Sequence, residues 1–199
     1  MIMIKQLAII GATASGKTSL AIALAHKMNA YILSLDSLSV YHSIDIASAK
    51  PSLEEREGIV HFGIDTLYPH ENFDVTHFIT LYHQVYAQCI KEQKNLILVG
   101  GTSFYLKMLI EGISPVPSIS AKTQKSVETY MRDIPKTYAW LLGLDAPYMS
   151  AIASQDAYRI EKALQIYLET SLTPTAYFVK YPPQATISQA IAYLSDCMG

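Results

Sequence analysis

The amino-acid sequence predicts an α/β protein in which helices wrap a parallel β-sheet and a helical module is inserted after it. Strand-like apolar runs alternate with amphipathic helical stretches over residues 7–112, which is typical of a parallel sheet. A proline-bearing linker at residues 113–118 ends this alternation, and helical patterns follow it. We therefore divide the chain into residues 1–114, 115–183 and 184–199.

A glycine-rich loop follows the first strand-like run. Gly11, Gly16, Lys17 and Thr18 fit the pattern G-x-x-x-x-G-K-[ST], with a helical stretch directly after it. In that context backbone N–H groups, the positive end of the helix and the Lys17 ammonium bind linked phosphates, and the Thr18 hydroxyl can ligate Mg²⁺. The pattern predicts a P-loop NTPase-like fold. The candidates for diphosphate or nucleotide binding are Gly11, Ala12, Thr13, Ala14, Ser15, Gly16, Lys17 and Thr18.

The other elements are predicted from periodicity and end signals. Asp74 is suited to cap a helix, and Gly112 to end one. We expect strands at residues 31–35, 61–66 and 96–102, and helices at residues 18–29, 53–58, 74–92 and 103–111. Beyond the linker we expect helices at residues 122–133, 137–144 and 148–170, a loop from residue 173, and a short helix at residues 188–195.

Composition limits the compartment and the partners. Half of the 199 residues are hydrophobic, the net charge is −2 and the pI is near 6.3, so nucleic-acid binding would depend on local patches. Cys89 and Cys197 are far apart and fit ordinary reduced packing or surface residues. No apolar stretch reaches membrane-spanning length. We expect a cytoplasmic monomer.

Two polar residues follow predicted strands at the sheet edge where open parallel sheets bind ligands. Asp36 ends the second strand, and there its carboxylate can accept a proton or help to hold Mg²⁺. It can equally be a turn or capping residue. Thr102 follows Gly100-Gly101 and suits the site or a helix cap. The strand that precedes Thr102 lacks the acidic residue that many P-loop ATPases carry at this strand end. Its absence counts against a motor protein or a signalling GTPase.

Three stretches, in this order and spacing, resemble the tRNA dimethylallyltransferases: GATASGKT, DSLSVYHSIDIASAKP and LVGGTSFYLKMLIEGISP. The resemblance covers residues 7–177 and is most specific over residues 1–117. It implies transfer of a dimethylallyl group from dimethylallyl diphosphate to the N6 amine of an adenine beside the tRNA anticodon, with Mg²⁺ as cofactor.

The resemblance also implies roles for single residues. The loop with Lys17 holds the donor diphosphate, Asp36 acts as base toward the amine, and Thr102 helps to position it. The inserted module binds tRNA, and residues 184–199 begin the return to the core. Arg159 and Lys162 could equally belong to a solvated helix face, and without the resemblance that interpretation would be favoured. The candidates for tRNA contact are Asp36, Ser37, Leu38, Ser39, Thr102, Gln124, Tyr158, Arg159 and Lys162.

The chain departs from the family pattern at several points. Ser39 stands where the family favours glutamine, Gln124 stands where it has an arginine, and residues 151–156 replace R-I-H-P-N-D. Family members continue beyond the position of Gly199 for roughly another helical domain, which carries an arginine facing the diphosphate. We expect either a fragment or a truncated copy that binds the donor and modifies tRNA feebly.

Two other functions fit the residues. A P-loop followed by an aspartate at the end of the second strand also suits a nucleoside or small-molecule kinase, which would bind ATP and transfer its γ-phosphate. A non-catalytic P-loop remnant is the third possibility. Donor choice separates the first two functions, and turnover on unmodified tRNA separates the enzyme from the remnant.

Overall fold

Two units make up the chain in the computed structural model, which describes residues 4–12, 14–43, 50–71, 73–101, 104–187 and 191–194. The first unit combines Met1–Gly112 with Ala185–Gly199, and the second is Ile113–Gln184. Each unit has its own hydrophobic core.

A five-stranded sheet forms the centre of the first unit, and all its strand pairs are parallel. Its spatial order is β3-β2-β4-β1-β5, so β2 and β1 flank the central β4. The strands are β1 (Gln6–Ile10), β2 (Ala30–Ser34), β3 (His61–Phe62), β4 (Asn95–Gly100) and β5 (Ile191–Leu194). The prediction of a parallel sheet wrapped by helices is confirmed.

Helices cover both faces of this sheet because successive side chains of a strand point to opposite faces. Ile32 and Ile97 pack with α1 (Lys17–Met28), whereas Leu33 and Leu98 pack with α2 (Val75–Glu92) and α3 (Phe104–Glu111). Asp74 caps α2 as expected, accepting hydrogen bonds from Thr76 N at 2.9 Å and His77 N at 3.1 Å. The apolar face of α2 is buried at Phe78, Tyr82, Val85 and Cys89.

Five short helices form the second unit. They are α4 (Ala121–Tyr130), α5 (Ile134–Leu144), α6 (Ala146–Met149), α7 (Ala157–Thr170) and α8 (Pro174–Lys180). Their apolar faces share one core that contains Val127, Leu141, Met149, Ile160 and Leu164. The buried Asp145 carboxylate joins helices within this unit, because it accepts from Tyr148 N at 3.3 Å and from Thr175 N and Oγ1 at 2.7 Å.

Two helix predictions in the second unit were wrong. The continuous helix at residues 148–170 is interrupted, because Asp156 starts a new helix by accepting from Arg159 N at 3.0 Å. The loop expected from residue 173 contains α8 instead. Thr173 caps that helix by accepting from Ala176 N at 3.3 Å, and Pro174 occupies its first turn, where a missing N–H costs nothing.

Three predictions in the first unit need correction. The last helix expected at residues 188–195 is wrong over Ile191–Leu194, which forms β5 and pairs with β1. A four-residue apolar run can form part of a helix or a strand. It forms a strand here because β1 offers an open edge with which it pairs. Residues 53–58 form turns rather than a helix, and the strand expected at residues 61–66 is only His61–Phe62.

The described part of the chain has no helix that is long and apolar enough to cross a membrane. Cys89 is fully buried in the core of the first unit, and burial raises the pKa of its thiol to about 11. Its thiol is therefore an inert packing group, as expected, whereas Cys197 lies outside the described residues.

Candidate functional site

The phosphate loop connects β1 to α1 at the carboxyl end of the sheet. Ala14 and Gly16 have positive φ angles of 65° and 79°, which turn the loop back onto the start of the helix. Lys17 Nζ donates hydrogen bonds to the Ala12 carbonyl and, at 3.3 Å, to Ser15 Oγ. Because the first N–H groups of a helix have no partner within it, this end of α1 attracts an anion beside the Lys17 ammonium. Thr13 lies outside the described residues.

Asp36 lies two residues beyond β2, next to this loop. Its Oδ1 accepts a hydrogen bond from Leu38 N at 2.9 Å, and its N–H donates to Ser34 Oγ at 3.2 Å. The turn role considered for this residue is therefore present. The same residue also lines a cleft with Lys17 and Thr18. The structure thus brings together five of the predicted site residues, since Ala14 and Ser39 line the same cleft, while Thr102 lies outside the described residues.

The segment of residues 36–43, which carries Asp36, is fixed by contacts with the stretch after β3. Ser39 O accepts from Asp65 N at 3.0 Å, and Val40 O accepts from Thr66 N at 2.8 Å. Lys50 donates to the Tyr41 carbonyl and to Asp65 Oδ1, the latter at 2.6 Å, and its side chain is only 4% exposed. A buried ion pair of this kind holds the segment in one position.

The cleft lies between α1 and the carboxyl ends of β2 and β4 and has a volume of about 130 Å³. Its polar lining residues are Lys17, Thr18, Ser34, Asp36, Ser39 and His61. Its apolar lining residues are Ala21, Ile32, Pro51, Ile64 and Val99. The cleft can therefore offer both polar and apolar contacts to a ligand.

Gly100 lets the end of β4 lie close to the residue that follows β2 at the cleft. A Cβ added at this position would lie 2.5 Å from Leu35 Cβ, a distance that side chains do not tolerate. Leu35 is fully buried and immediately precedes Asp36, and its N–H donates to Val99 O at 2.7 Å. The glycine therefore sets the position of the segment that carries Asp36.

Gly100→Ala is expected to destabilise the first unit by about 1–3 kcal/mol, because the added methyl group overpacks a site with no free volume. Gly143→Ala is the matched control, since a Cβ there meets nothing within 4 Å and the residue lies inside α5. Alanine should stabilise that helix by roughly 0.5–1 kcal/mol. Urea unfolding of both variants measures the difference, and equal stabilities would contradict the close approach.

Two residues of the site were not found from the sequence. His61 lines the cleft, and its Nδ1 donates to Ile59 O at 2.8 Å. Burial and the Arg56 charge lower the pKa of His61 despite this hydrogen bond, so the neutral imidazole is favoured. Tyr105 forms a hydrogen bond with Ser37, and burial raises the pKa of its hydroxyl, with further contributions from Asp74, Tyr41 and Asp36 in that order. Only the tertiary structure places these rings beside Asp36.

The described residues contain no group of three His, Cys, Asp or Glu side chains that could hold a metal ion. The Thr18 hydroxyl lines the cleft next to Lys17, as predicted. One hydroxyl suits Mg²⁺, which retains several waters and takes most other ligands from phosphates. The residues present therefore fit a magnesium ion that arrives with a diphosphate.

The second unit carries three of the predicted tRNA-contact residues on one exposed part of α7. Tyr158, Arg159 and Lys162 are exposed, and Lys162 Nζ lies 5.5 Å from the centroid of the Tyr158 ring. Arg159 Nη1 forms an ion pair with Asp156 at 3.2 Å. Gln124 lies on α4 and is half-buried, and the structure does not place it in this group.

Comparison with known proteins identifies relatives over most of the chain. Residues 39–196 match the family model described as IPP transferase. A tRNA dimethylallyltransferase of Sulfurovum sp. is 56% identical over 188 residues, which make up 94% of this chain and 62% of that protein. A tRNA dimethylallyltransferase of Sulfurimonas denitrificans is 54% identical over 178 residues, 89% of this chain and 60% of that protein. The chain thus spans about three fifths of the length of these curated relatives.

A solved structure of a tRNA-modifying enzyme has a fold similar to that of this chain. A eukaryotic dimethylallyltransferase acting on tRNA superposes with a TM-score of 0.79 at 26% identity. The match covers 96% of this chain and 48% of that chain. The similarity therefore includes the P-loop, the sheet and the second unit.

Proposed function

The chain belongs to the IPP transferase family, and on that premise we propose that it transfers a dimethylallyl group from dimethylallyl diphosphate to the N6 amine of an adenine beside a tRNA anticodon. The observation that carries the proposal is a single cleft lined by the P-loop lysine, the Asp36 residue and several apolar residues. These three parts match the diphosphate, the amine and the five-carbon group of that reaction.

The phosphate loop would bind the donor. In the transfer, the bond between the allylic carbon and the diphosphate oxygen breaks, and negative charge grows on the departing diphosphate. Lys17 and the N-terminal end of α1 stabilise that charge from fixed positions, which is commonly a large contribution to catalysis. Thr18 would help to hold a magnesium ion, which would supply further neutralisation of the negative charge on the diphosphate.

Asp36 would act on the adenine amine, which accepts the dimethylallyl group. A new bond forms between the adenine nitrogen and the allylic carbon, and the proton lost by that nitrogen passes to the Asp36 carboxylate. The hydrogen bond from Leu38 N holds the carboxylate in position. The target adenine must leave its stack in the RNA to reach this group, which a closed cleft requires of any base-modifying enzyme.

The cleft favours this reaction over phosphoryl transfer by a kinase. Val99 and Gly100-Gly101 line the cleft at the end of β4, where many P-loop phosphotransferases carry an acidic Mg²⁺ ligand. Ile32, Ile64 and Ala21 are apolar lining residues that suit a five-carbon group. Thr18 and the phosphates of the substrate would therefore supply the ligands of a magnesium ion.

Product detection tests the proposed reaction. The chain is incubated with unmodified tRNA and isotopically labelled dimethylallyl diphosphate, and the nucleosides are analysed by mass spectrometry. We expect a small amount of adenosine that carries the labelled dimethylallyl group, because this chain spans only about three fifths of its relatives' length. Donor binding without any labelled adenosine would contradict the transferase function, and transfer of phosphate from ATP would favour the kinase.

Arg159→Glu is expected to weaken tRNA binding, because the group on α7 would contact an RNA phosphate. Loss of one such contact should flatten the slope of log K against log salt by about 0.7–0.9. Arg132→Glu, an exposed arginine of the same unit, is the control for general charge. Filter-binding curves at several salt concentrations measure both variants. If Arg159→Glu keeps the slope and affinity of the parent, the arginine belongs to a solvated helix face.

A further inference from the structure

We propose that three rings on the first unit, His42, Tyr68 and His70, form a platform on which a base of the substrate RNA stacks. We call this group the ring row. The proposal rests on the proposed function, because it assigns a further contact of the same RNA to a surface outside the cleft. It names the partner as an unpaired nucleotide close to the target adenine.

The Tyr68 ring lies between the two imidazoles. Its centroid is 5.0 Å from that of His42, with an angle of 35° between the planes, and 6.0 Å from that of His70, with an angle of 13°. His42 is half-buried, whereas His70 is exposed and Tyr68 is 60% exposed. The ring row is therefore anchored at its His42 end and open to solvent at its His70 end.

Backbone contacts hold the ring row on the segment that carries Asp36. His42 N donates to Leu67 O at 2.8 Å, and Tyr41 pairs with Leu67 in a parallel bridge. Tyr68 N donates to Glu71 Oε2 at 2.7 Å, and Glu71 N donates back to Tyr68 O at 2.9 Å. The rings are thus ordered before any partner binds, which reduces the entropy lost on binding.

A nucleic-acid base fits this surface by its shape and its polarity. Single-stranded RNA is recognised largely by stacking of bases on aromatic side chains, histidine included. A base that leaves its stack also deprives its neighbours of a stacking partner. The ring row replaces that partner beside the segment that holds Asp36. Phenol and imidazole edges are polar, as are the edges of a base. A protein partner would pack better against a surface that also carried aliphatic side chains.

Binding of a fluorescent RNA tests the proposal. The probe is an anticodon stem-loop RNA with 2-aminopurine beside the target adenine, whose fluorescence falls when the base stacks. His70→Ala should weaken binding about 5- to 150-fold, the range for loss of one base–aromatic stack, and restore the fluorescence of the bound probe. His70→Phe should retain both the affinity and the quenching. His83→Ala, an exposed histidine on α2, is the control and should match the parent.

Separate outcomes distinguish this proposal from the proposed function. Calorimetry with dimethylallyl diphosphate is run on each variant, and we expect unchanged donor affinity. If the parent binds donor and RNA but His70→Ala has the parent's RNA affinity and quenching, the ring row does not stack on RNA and could only serve another partner, such as a protein. Weakened binding with unchanged quenching would also overturn the stack. If the parent binds neither ligand, the proposed function fails, and the ring row with it.

Discussion

Asp36→Asn is expected to abolish prenyl transfer while donor binding survives. The amide has nearly the same shape as the carboxylate, and its oxygen can still accept the hydrogen bond from Leu38 N, so the segment should keep its conformation. It cannot take the proton that leaves the adenine amine. Loss of a positioned general base commonly costs about 10²- to 10⁴-fold in rate. Initial rates of labelled adenosine formation give the size of the loss, and calorimetry gives donor affinity.

Asp133→Asn is the matched control for this change. Asp133 is an exposed carboxylate in the second unit that caps α5, and asparagine caps a helix about as well as aspartate. This variant should transfer at the rate of the parent. A parent-like rate in Asp36→Asn would show that another group takes the proton, and the role assigned to Asp36 would be wrong.

Lys17→Ala is expected to remove most of the affinity for diphosphate. Among the described residues, the ammonium donates hydrogen bonds to the Ala12 carbonyl and Ser15 Oγ of its own loop, so its loss should leave the fold intact. By analogy with removal of one preorganised charge-stabilising donor, binding should weaken by about 2–4 kcal/mol, roughly 30- to 1000-fold in Kd. Calorimetric titration with inorganic pyrophosphate and Mg²⁺ measures this directly.

Lys27→Ala controls for the loss of a positive charge from the same helix. Lys27 is exposed in the last turn of α1, at the end opposite the phosphate loop. Its removal should leave the Kd for pyrophosphate unchanged, and circular dichroism should match the parent for both variants. If Lys17→Ala binds pyrophosphate like the parent, the loop is not the diphosphate site.

The phosphate loop and the sheet could be predicted because local signals determine them. Gly11, Gly16, Lys17 and Thr18 have fixed spacing, and the loop chemistry tolerates few other residues. The buried strands β1, β2 and β4 read as short apolar runs, as expected of a parallel sheet covered on both faces. Asp36 could be placed at the cleft because neighbouring parallel strands end at the same edge.

Other parts depended on contacts that sequence patterns do not encode. Residues 191–194 form a strand because β1 offers an open edge, and no periodicity in four residues marks that. Thr173-Pro174 suggested a loop, although proline at the first position of a helix is favourable. His61 became part of the site only because β3 pairs with β2 and brings this residue to the cleft.

The central claim is that one cleft binds a diphosphate and its apolar five-carbon group together. Calorimetry with dimethylallyl diphosphate, methyl diphosphate and ATP, each with Mg²⁺, tests it most directly. Burial of four further carbons at about 0.8 kcal/mol each should make dimethylallyl diphosphate bind roughly 200-fold more tightly than methyl diphosphate. The account predicts that difference and no transfer of phosphate from ATP. Equal affinities for the two diphosphates, or tighter binding of ATP with loss of its γ-phosphate, would contradict it.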